Sequence, residues 1–193
     1  MSLLDSAAPL RLVRAAILGL LVAAAAPAAA QSFAVGAGGG AIADLGANVA
    51  RSGFHSYGGY GFLEVSLENS GSGSDVRLQL RGELLRLPGG APAAPDLDVS
   101  SGLVVVSYLW REEWWEAGLM AGLGVFGVSP KSPGSDQVAA DPSQTVFGWC
   151  AGAQSVFRIS RRADFRLEAS WQVPSTQLDH KFFFLTGGFA YRF

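Results

Sequence analysis

Carboxylate and guanidinium side chains recur along this chain with apolar residues between them. Glu64 and Glu68 lie an even number of residues apart, and so do Arg77, Arg81 and Glu83. On an extended chain, even spacing places side chains on one face. Opposite charges on one face neutralise each other through charge-assisted hydrogen bonds. The ten residues that we single out for such a network are Glu64, Glu68, Arg77, Arg81, Glu83, Glu116, Arg158, Arg166, Glu168 and Arg192.

Residue types that bind metals or carry redox chemistry are scarce in this chain. Cys150 is the only cysteine, which excludes an internal disulfide, and the two histidines offer no metal-ligand spacing. Asp136 and Asp141 are too sparse for a calcium loop. We therefore expect no metal and no cofactor, and we interpret His55 and His180 as solvated loop residues.

The composition indicates an unusual solvent environment. The 193 residues carry a formal net charge of -2, so charge does not favour a nucleic-acid partner. Charged residues make up 16%, against about 25% in ordinary soluble domains. The chain also contains 25 glycines and 11% aromatic residues.

Residues 1–30 have the pattern of a cleaved signal peptide. Arg11 and Arg14 precede an apolar run over residues 15–26, and a small-residue cleavage pattern follows at residues 28–30. The alternative is a membrane anchor, but the run is shorter than the roughly 20 residues that a spanning helix needs. We expect an exported protein that begins near Gln31, with residues 31–193 as its single domain.

Strict alternation of apolar and polar residues predicts β-strands throughout residues 31–193. In FRLEASWQV, residues 165–173, apolar side chains occupy every second position. The pattern recurs in residues 61–68, 75–84, 115–128 and 145–158, and more weakly in 32–43, 99–110 and 181–193. The frequent glycines disfavour helices. We predict an all-β fold of about eight strands.

The predicted connections alternate between two sizes. Short ones fall at 69–74, 111–113 and 160–163, and mostly longer ones at 44–58, 88–98, 129–144 and 174–180. This alternation is typical of an antiparallel up-and-down transmembrane β-barrel, whose short turns face the periplasm. Two hairpin registers follow from matching charges and aromatic residues. The predicted partners are Glu68 with Arg77, Glu64 with Arg81, and Trp110 with Trp115.

The distribution of side chains indicates which face is the exterior. One face carries Leu, Val, Ala and aromatic residues, with Trp110, Trp115, Trp149 and Trp171 as a predicted aromatic girdle near the strand ends. The other face carries the ten charged residues. Because an eight-stranded barrel has room inside only for side chains, we predict an Arg/Glu network that plugs the interior. A conducting pore is the alternative.

The chain resembles the small eight-stranded outer-membrane barrels, the family of outer-membrane-protein-A, X and opacity-type proteins. The C-terminal TGGFAYRF carries the resemblance, with Thr186, Gly188, Tyr191 and Phe193 matching the family's assembly signal. The resemblance implies a Gram-negative outer-membrane location, a monomer surrounded by outer-membrane lipid, and recognition of the last strand by the barrel assembly machinery.

Some barrels of this size are enzymes that modify lipid A, and we tested the residues that they use. Deacylase barrels carry a His-x-Ser motif, whereas His55 is followed directly by Ser56. Palmitoyltransferase barrels use loop His, Asp and Ser, for which His55, Asp98 and Ser100 are the candidate set, but their N-terminal amphipathic helix is missing. We expect no enzymatic activity.

The main expectation is a structural or surface-interaction role carried by the extracellular loops and an unidentified extracellular ligand. A narrow, porin-like channel and a soluble periplasmic binding barrel are the alternatives.

Overall fold

A computed structural model describes residues 31–45, 56–68, 73–87, 96–131, 144–175 and 181–193. These residues form eight strands: β1 (Gln31–Asp44), β2 (Ser56–Glu68), β3 (Ser74–Leu87), β4 (Asp96–Arg111), β5 (Trp115–Lys131), β6 (Gln144–Arg158), β7 (Ala163–Pro174) and β8 (Phe182–Arg192). The predicted signal peptide, His55, Asp136, Asp141 and His180 lie outside the described residues.

The eight strands close into a single antiparallel barrel in which each strand pairs with its neighbours in chain order. β8 pairs with β1 from Arg192 opposite Ala34 to Phe182 opposite Asp44. Closure leaves no open sheet edge. The predicted fold class, an eight-stranded antiparallel up-and-down barrel, is confirmed. The described ranges contain no helix long and apolar enough to cross a membrane.

The connections at the two ends of the barrel differ in length. Residues 69–73, 112–114 and 159–162 join strands at one end, which we call the inner end. The last of these turns is closed by the Ser160 side chain, whose Oγ accepts the backbone N–H groups of Arg162 and Ala163 at 3.2 and 3.0 Å. The longer connections meet at the opposite end, which we call the outer end.

The predicted register of two hairpins is wrong by two residues. The observed partners are Glu68 with Asp75, Glu64 with Gln79, Phe62 with Arg81, and Trp110 with Ala117. The prediction assumed that opposite charges pair between adjacent strands, whereas the arginines reach across the interior to more distant strands. Because side chains alternate with a period of two, the shift leaves every predicted face unchanged.

Outward and inward side chains differ sharply in type over the inner half of the barrel. Val106, Tyr108 and Leu119 point outward, and Leu119 is 61% exposed. Arg77 and Arg81 point inward and are almost completely buried, at 1% and 2% exposure. This half of the barrel therefore has an apolar exterior around a charged interior.

Candidate functional site

Arg77 on β3 is the centre of one group of charges in the interior. Its Nε donates to Asp75 Oδ2 at 2.8 Å, and its Nη2 donates to Glu116 on β5. Its Nη1 lies 3.6 Å from Glu64 Oε1 on β2. Three strands are thus joined by one guanidinium group whose planar donors match several carboxylates.

Two contacts cross the full width of the interior between β3 and β7, which lie opposite each other in the ring of eight strands. Arg81 Nη1 donates to Glu168 Oε2 at 2.6 Å, and Arg81 Nε lies 2.7 Å from Glu83 Oε1. Gln172 Nε2 donates to both oxygens of Glu83 at 2.9 Å. These side chains meet at the middle of the barrel interior.

Glu64 and Arg166 form a two-point ion pair between β2 and β7. Arg166 Nη1 and Nη2 donate to the two carboxylate oxygens of Glu64 at 2.6 and 2.8 Å. Gln79 Nε2 also donates to Glu64, at 2.6 Å. Arg166 and Glu64 are both at least 97% buried, and such charges require partners of this quality to offset the loss of hydration.

Partly exposed arginines form the inner mouth of the barrel. Arg158 donates to Glu116, and Arg111 Nε lies 3.5 Å from the same carboxylate. Arg192 Nε and Nη2 donate to Asp164 at 2.7 and 2.8 Å. Arg192 therefore pairs with an aspartate, whereas the predicted network was one of arginines and glutamates, because the carboxylate within reach on the neighbouring β7 is that of Asp164.

We refer to these twelve charged residues as the charge network. Its six acids are Glu64, Asp75, Glu83, Glu116, Asp164 and Glu168, and its six bases are Arg77, Arg81, Arg111, Arg158, Arg166 and Arg192. The network is electrically neutral. Nine of the ten residues singled out in the sequence belong to it, and the side chain of Glu68 lies outside the described set.

Sequence reasoning missed three members of the charge network. Asp75 and Asp164 each lie two residues before an inward arginine, so they share its face. Arg111 ends β4 within a segment that was interpreted as a turn. Asp75 already lay within the predicted strand at 75–84, and face parity identifies Asp164 and Arg111 once their strands are extended to their observed ends.

Two aromatic rings cover arginines of the charge network. Arg81 Cζ lies 3.9 Å from the centre of the Tyr60 ring, and Arg166 Cζ lies 4.6 Å from that of Phe62. Such contacts stabilise cations away from water. Tyr60 fits because Gly38 and Gly188 face it, since a Cβ atom at Gly38 or Gly188 would lie 2.7 or 2.8 Å from the Tyr60 hydroxyl.

An apolar layer, which was not predicted, fills the interior from the middle of the barrel to its outer end. Its buried members are Ile42, Leu85, Leu87, Leu97, Val99, Leu103, Val105, Met120, Phe126, Val128, Cys150, Phe182 and Phe184. At the outer end of β4 the two faces are exchanged relative to the inner half. Leu97 and Val99 point inward, while Asp98 and Ser100 point outward.

The predicted aromatic girdle residues lie on the exterior. Trp110 is 52% exposed, Trp149 and Trp171 are similarly exposed, and Trp115 is half-buried. Near the inner end, neighbouring rings lie 5.2 to 6.3 Å apart in a belt that runs from β5 to β8. The contacting pairs are Trp114 with Trp115, Trp114 with Phe157, Phe157 with Phe165, and Phe165 with Phe189.

The four residues of the C-terminal motif divide between the two faces. Thr186 and Gly188 are buried on the interior side of β8, whereas Tyr191 and Phe193 point outward, with their rings 5.3 Å apart. The backbone N–H of Phe193 donates to the Phe33 carbonyl at 2.9 Å. The motif therefore lies along the strand that closes the barrel.

In the described ranges no metal site forms, and the candidate catalytic set is described only in part, since His55 lies outside them. No group of three or more His, Cys, Asp or Glu side chains there has the geometry to hold a metal ion. Asp98 and Ser100 both point away from the interior, on the outer wall of β4. Cys150 is a free cysteine that is buried within the apolar layer.

No protein-family model and no curated protein sequence matches this chain. Its structure is similar to that of Neisserial surface protein A (NspA), with a TM-score of 0.64 and 15% identity over 86% of this chain and 100% of that chain. It is also similar to Ail, the attachment invasion locus protein of Yersinia pestis, in a complex with the heparin analogue sucrose octasulfate. That match has a TM-score of 0.56 and 16% identity, with the same coverage of both chains.

A third similar structure is a major outer membrane protein from Thermus thermophilus, with a TM-score of 0.55 and 14% identity over 86% of this chain and 100% of that chain. All three matches cover the full length of the solved protein. The chain therefore has the fold of the small outer-membrane β-barrels, and the predicted resemblance is confirmed at the level of the fold.

Proposed function

We propose that residues 31–193 form a monomeric integral outer-membrane protein whose role is a surface interaction at its outer end. The observation that carries this proposal is the apolar exterior around a neutral, charged interior. A soluble barrel has the opposite arrangement. An exported soluble protein with rings such as Trp110 and Phe189 on its surface would aggregate. Export through residues 1–30 is part of the proposal.

The length of the apolar exterior matches a bilayer. On β4, Trp110 and Ser100 are ten residue steps apart. At about 3.4 Å per residue and a strand tilt of about 40°, this corresponds to a height of about 26 Å. Outer-membrane barrels have an apolar band of about 25 Å bordered by aromatic girdles. We therefore assign the inner aromatic belt to the periplasmic interface and Trp149 and Trp171 to the outer part of the band.

The interior supports a sealed barrel. The charge network closes the inner half and the apolar layer closes the outer half, so an ion would have to break buried pairs and then enter a dry segment. We infer that the barrel does not conduct and that its activity resides at the outer end, where loops carry specificity. Catalysis is not part of this proposal.

Membrane insertion is tested by fractionation and by gel migration. Overproduced full-length protein is expected in the outer-membrane fraction. Its measured mass should be that of a mature chain that begins near Gln31. Without boiling, the folded barrel is expected to migrate faster on a gel than the boiled chain. Recovery in the aqueous periplasmic fraction would refute the proposal.

The seal is tested by planar-bilayer recording of the purified barrel. We expect no steady conductance from the wild-type protein, with a general porin recorded in the same bilayers as the positive control. Steady porin-sized channels would show that the charge network and the apolar layer do not close the interior.

A further inference from the structure

β8 and β1 are neighbours in the barrel but lie at opposite ends of the strand order. The other seven pairings join strands that follow each other in the chain, and the connection between two such strands limits their register. The outward side chains of β1 and β8 do not distinguish one register from another. Val35 lies opposite Tyr191, and Ala37 lies opposite Phe189. A slip of two residues would pair Ala37 with Tyr191, another aromatic residue, and leave the wall apolar.

The register of β1 with β8 contributes to the stagger of the whole barrel. The strand pairs lead from Glu116 on β5 once round the wall and back to β5 at Phe126, ten residues further along. Strand number and stagger together determine the strand tilt and the barrel diameter. A slip of two residues between β1 and β8 would therefore change the width that Arg81 and Glu168 span across the interior.

One aromatic ring covers the interior face of the β1–β8 pair. Tyr60 on β2 extends across Gly38 on β1 and reaches Gly188 on β8. A Cβ atom at Gly38 would lie 2.7 Å from the Tyr60 hydroxyl, and a Cβ atom at Gly188 would lie 2.8 Å from it. Gly38 and Gly188 are register partners. The ring thus lies on a floor of backbone that is two strands wide.

The Tyr60 ring is held on this floor from its other side. Arg81 Cζ lies 3.9 Å from the ring centre, and Arg81 Nη1 donates to Glu168 at 2.6 Å. Tyr60 is only 8% exposed. The position of its hydroxyl relative to β8 is therefore set by packing on both faces of the ring.

The residues next to Gly188 on the interior face of β8 do not leave room for the hydroxyl. They are Thr186 and Ala190, and both have a Cβ atom. A slip of two residues in either direction would bring one of them beneath the Tyr60 hydroxyl, where a Cβ atom on residue 188 would lie 2.8 Å away. Overpacking of this kind destabilises a folded state. The observed register is the one that places a glycine beneath the hydroxyl.

We propose that Tyr60 sets the register of the β1–β8 pair, and through it the stagger of the barrel, because its hydroxyl fits over Gly188 and over neither neighbour. Phe62 supports the same register one row nearer the inner end. A Cβ atom at Gly36 would overlap the Phe62 ring, and Phe62 forms a buried cluster with Tyr60 and Ala190. Tyr60 is thus a positioning residue for the strand pair that closes the barrel.

Cysteine crosslinking measures this register in folded barrel isolated from cells that produce the full-length protein, with its single native cysteine replaced by alanine. Ala41→Cys with Leu185→Cys joins register partners. Ala41→Cys becomes a partner of Phe183→Cys or Gly187→Cys only after a slip of two residues. Paired residues have Cα atoms about 4.5–5.5 Å apart, which suits a disulfide, whereas displaced residues are too distant. In the otherwise unchanged barrel, we expect a disulfide only between the register partners, detected by mass spectrometry of unreduced peptides.

Tyr60→Leu keeps an apolar side chain on β2 that does not reach β8. This variant should raise the disulfide yield of the two displaced pairs about tenfold, because the clash that excludes a slip is gone. Tyr57→Leu, which replaces an exposed tyrosine of the same strand, is the matched control and should leave the yields unchanged. A folded Tyr60→Leu barrel that crosslinks only the register partners would overturn the proposal.

A second variant moves the glycine along β8. Gly188→Ala with Ala190→Gly shifts it by two residues, so the disulfide of Ala41→Cys with Gly187→Cys should become the main product. Gly188→Ala alone leaves no glycine for the hydroxyl and should give less folded barrel, measured by gel migration before and after boiling. The proposal also fails if the double variant folds no better than Gly188→Ala, or if it crosslinks only the register partners.

Discussion

At the scale of single residues, buried charges that lie far apart in the sequence hold the interior together. Glu64 accepts two hydrogen bonds from Arg166 and one from Gln79, with all three side chains away from water. Removing one member of such a pair leaves a buried charge without its partner, whereas replacing both members by apolar residues is often tolerated. Each of the two buried charges therefore destabilises the fold unless the other is present.

Replacing Glu64 with glutamine should lower the free energy of unfolding by about 3–5 kcal/mol, because Arg166 then loses its two-point partner. The double variant Glu64→Met with Arg166→Met should lose less than the single variant. Urea unfolding in lipid vesicles, followed by gel migration, measures both. Glu113→Gln in an exposed turn is the control, and a Glu64→Gln midpoint equal to that control would contradict the expected burial cost.

Gly188 provides a steric test of the Tyr60 packing. A valine there would place its Cβ 2.7 Å from the Ala37 carbonyl oxygen and 2.8 Å from the Tyr60 hydroxyl. We expect Gly188→Val to destabilise the refolded barrel by about 1–3 kcal/mol. Gly187→Val is the matched control, since its nearest neighbours lie 3.7 Å away. Equal urea midpoints for the two variants would show that the Tyr60 ring and the backbone at Ala37 both move aside without loss.

At the scale of elements, β8 has two tasks, because it closes the barrel and bears the C-terminal motif. Phe193 is 78% exposed, so its ring adds little to the packing of the finished wall. We propose that the barrel assembly machinery instead recognises this ring during assembly.

Replacing Phe193 with alanine should therefore reduce outer-membrane yield several-fold in cells. It should change the stability of barrel refolded in vitro by less than about 1 kcal/mol, as exposed substitutions usually do. Phe189→Ala, another outward ring on β8, is the matched control and should keep the wild-type yield. A wild-type outer-membrane yield for Phe193→Ala would contradict the proposed role of the Phe193 ring in assembly.

The elements were largely predictable from the sequence, and their register was not. Alternation with a period of two identifies which residues share a face, and a shift of two residues preserves that information. Glu64 was assigned to the correct face and to the wrong partner, Arg81. Its actual partner, Arg166, lies 102 residues away, and no local pattern connects positions so distant. The apolar layer was missed because Leu97 and Val99 follow the same alternation of apolar and polar residues as the inner half of the barrel.

At the scale of the whole molecule, the apolar side chains of β4 switch from the exterior face to the interior face along the strand. We interpret this switch as the level at which the solvent around the barrel changes. Toward the inner end the exterior is apolar and the interior is charged. At the outer end Asp98 and Ser100 point outward around a core that includes Leu97 and Val99. The second arrangement is that of a soluble protein, so we infer that the outer part of β3 to β5 stands above the lipid.

Cysteine labelling on β5 tests this boundary. In a background with Cys150→Ala, a membrane-impermeant maleimide should label Ser129→Cys on intact cells within minutes and leave Leu119→Cys unlabelled. Both positions belong to the outer wall of the same strand. Detergent-solubilised protein is the control, in which both cysteines should react. Equal labelling of the two variants on intact cells would contradict a boundary between lipid and water at this position on β5.

The length of the chain between Glu64 and Arg166 also bears on the order of folding. These charges belong to β2 and β7, which are brought together by the closing pair, β1 with β8, so we expect them to meet only when that pair forms. Until then, a strand that entered hydrocarbon alone would carry an unpaired ion and unpaired backbone groups. Contacts between residues so far apart in the sequence also form slowly. We therefore expect the strands of a membrane-inserted barrel to cross the bilayer together, as one closing unit, rather than one after another.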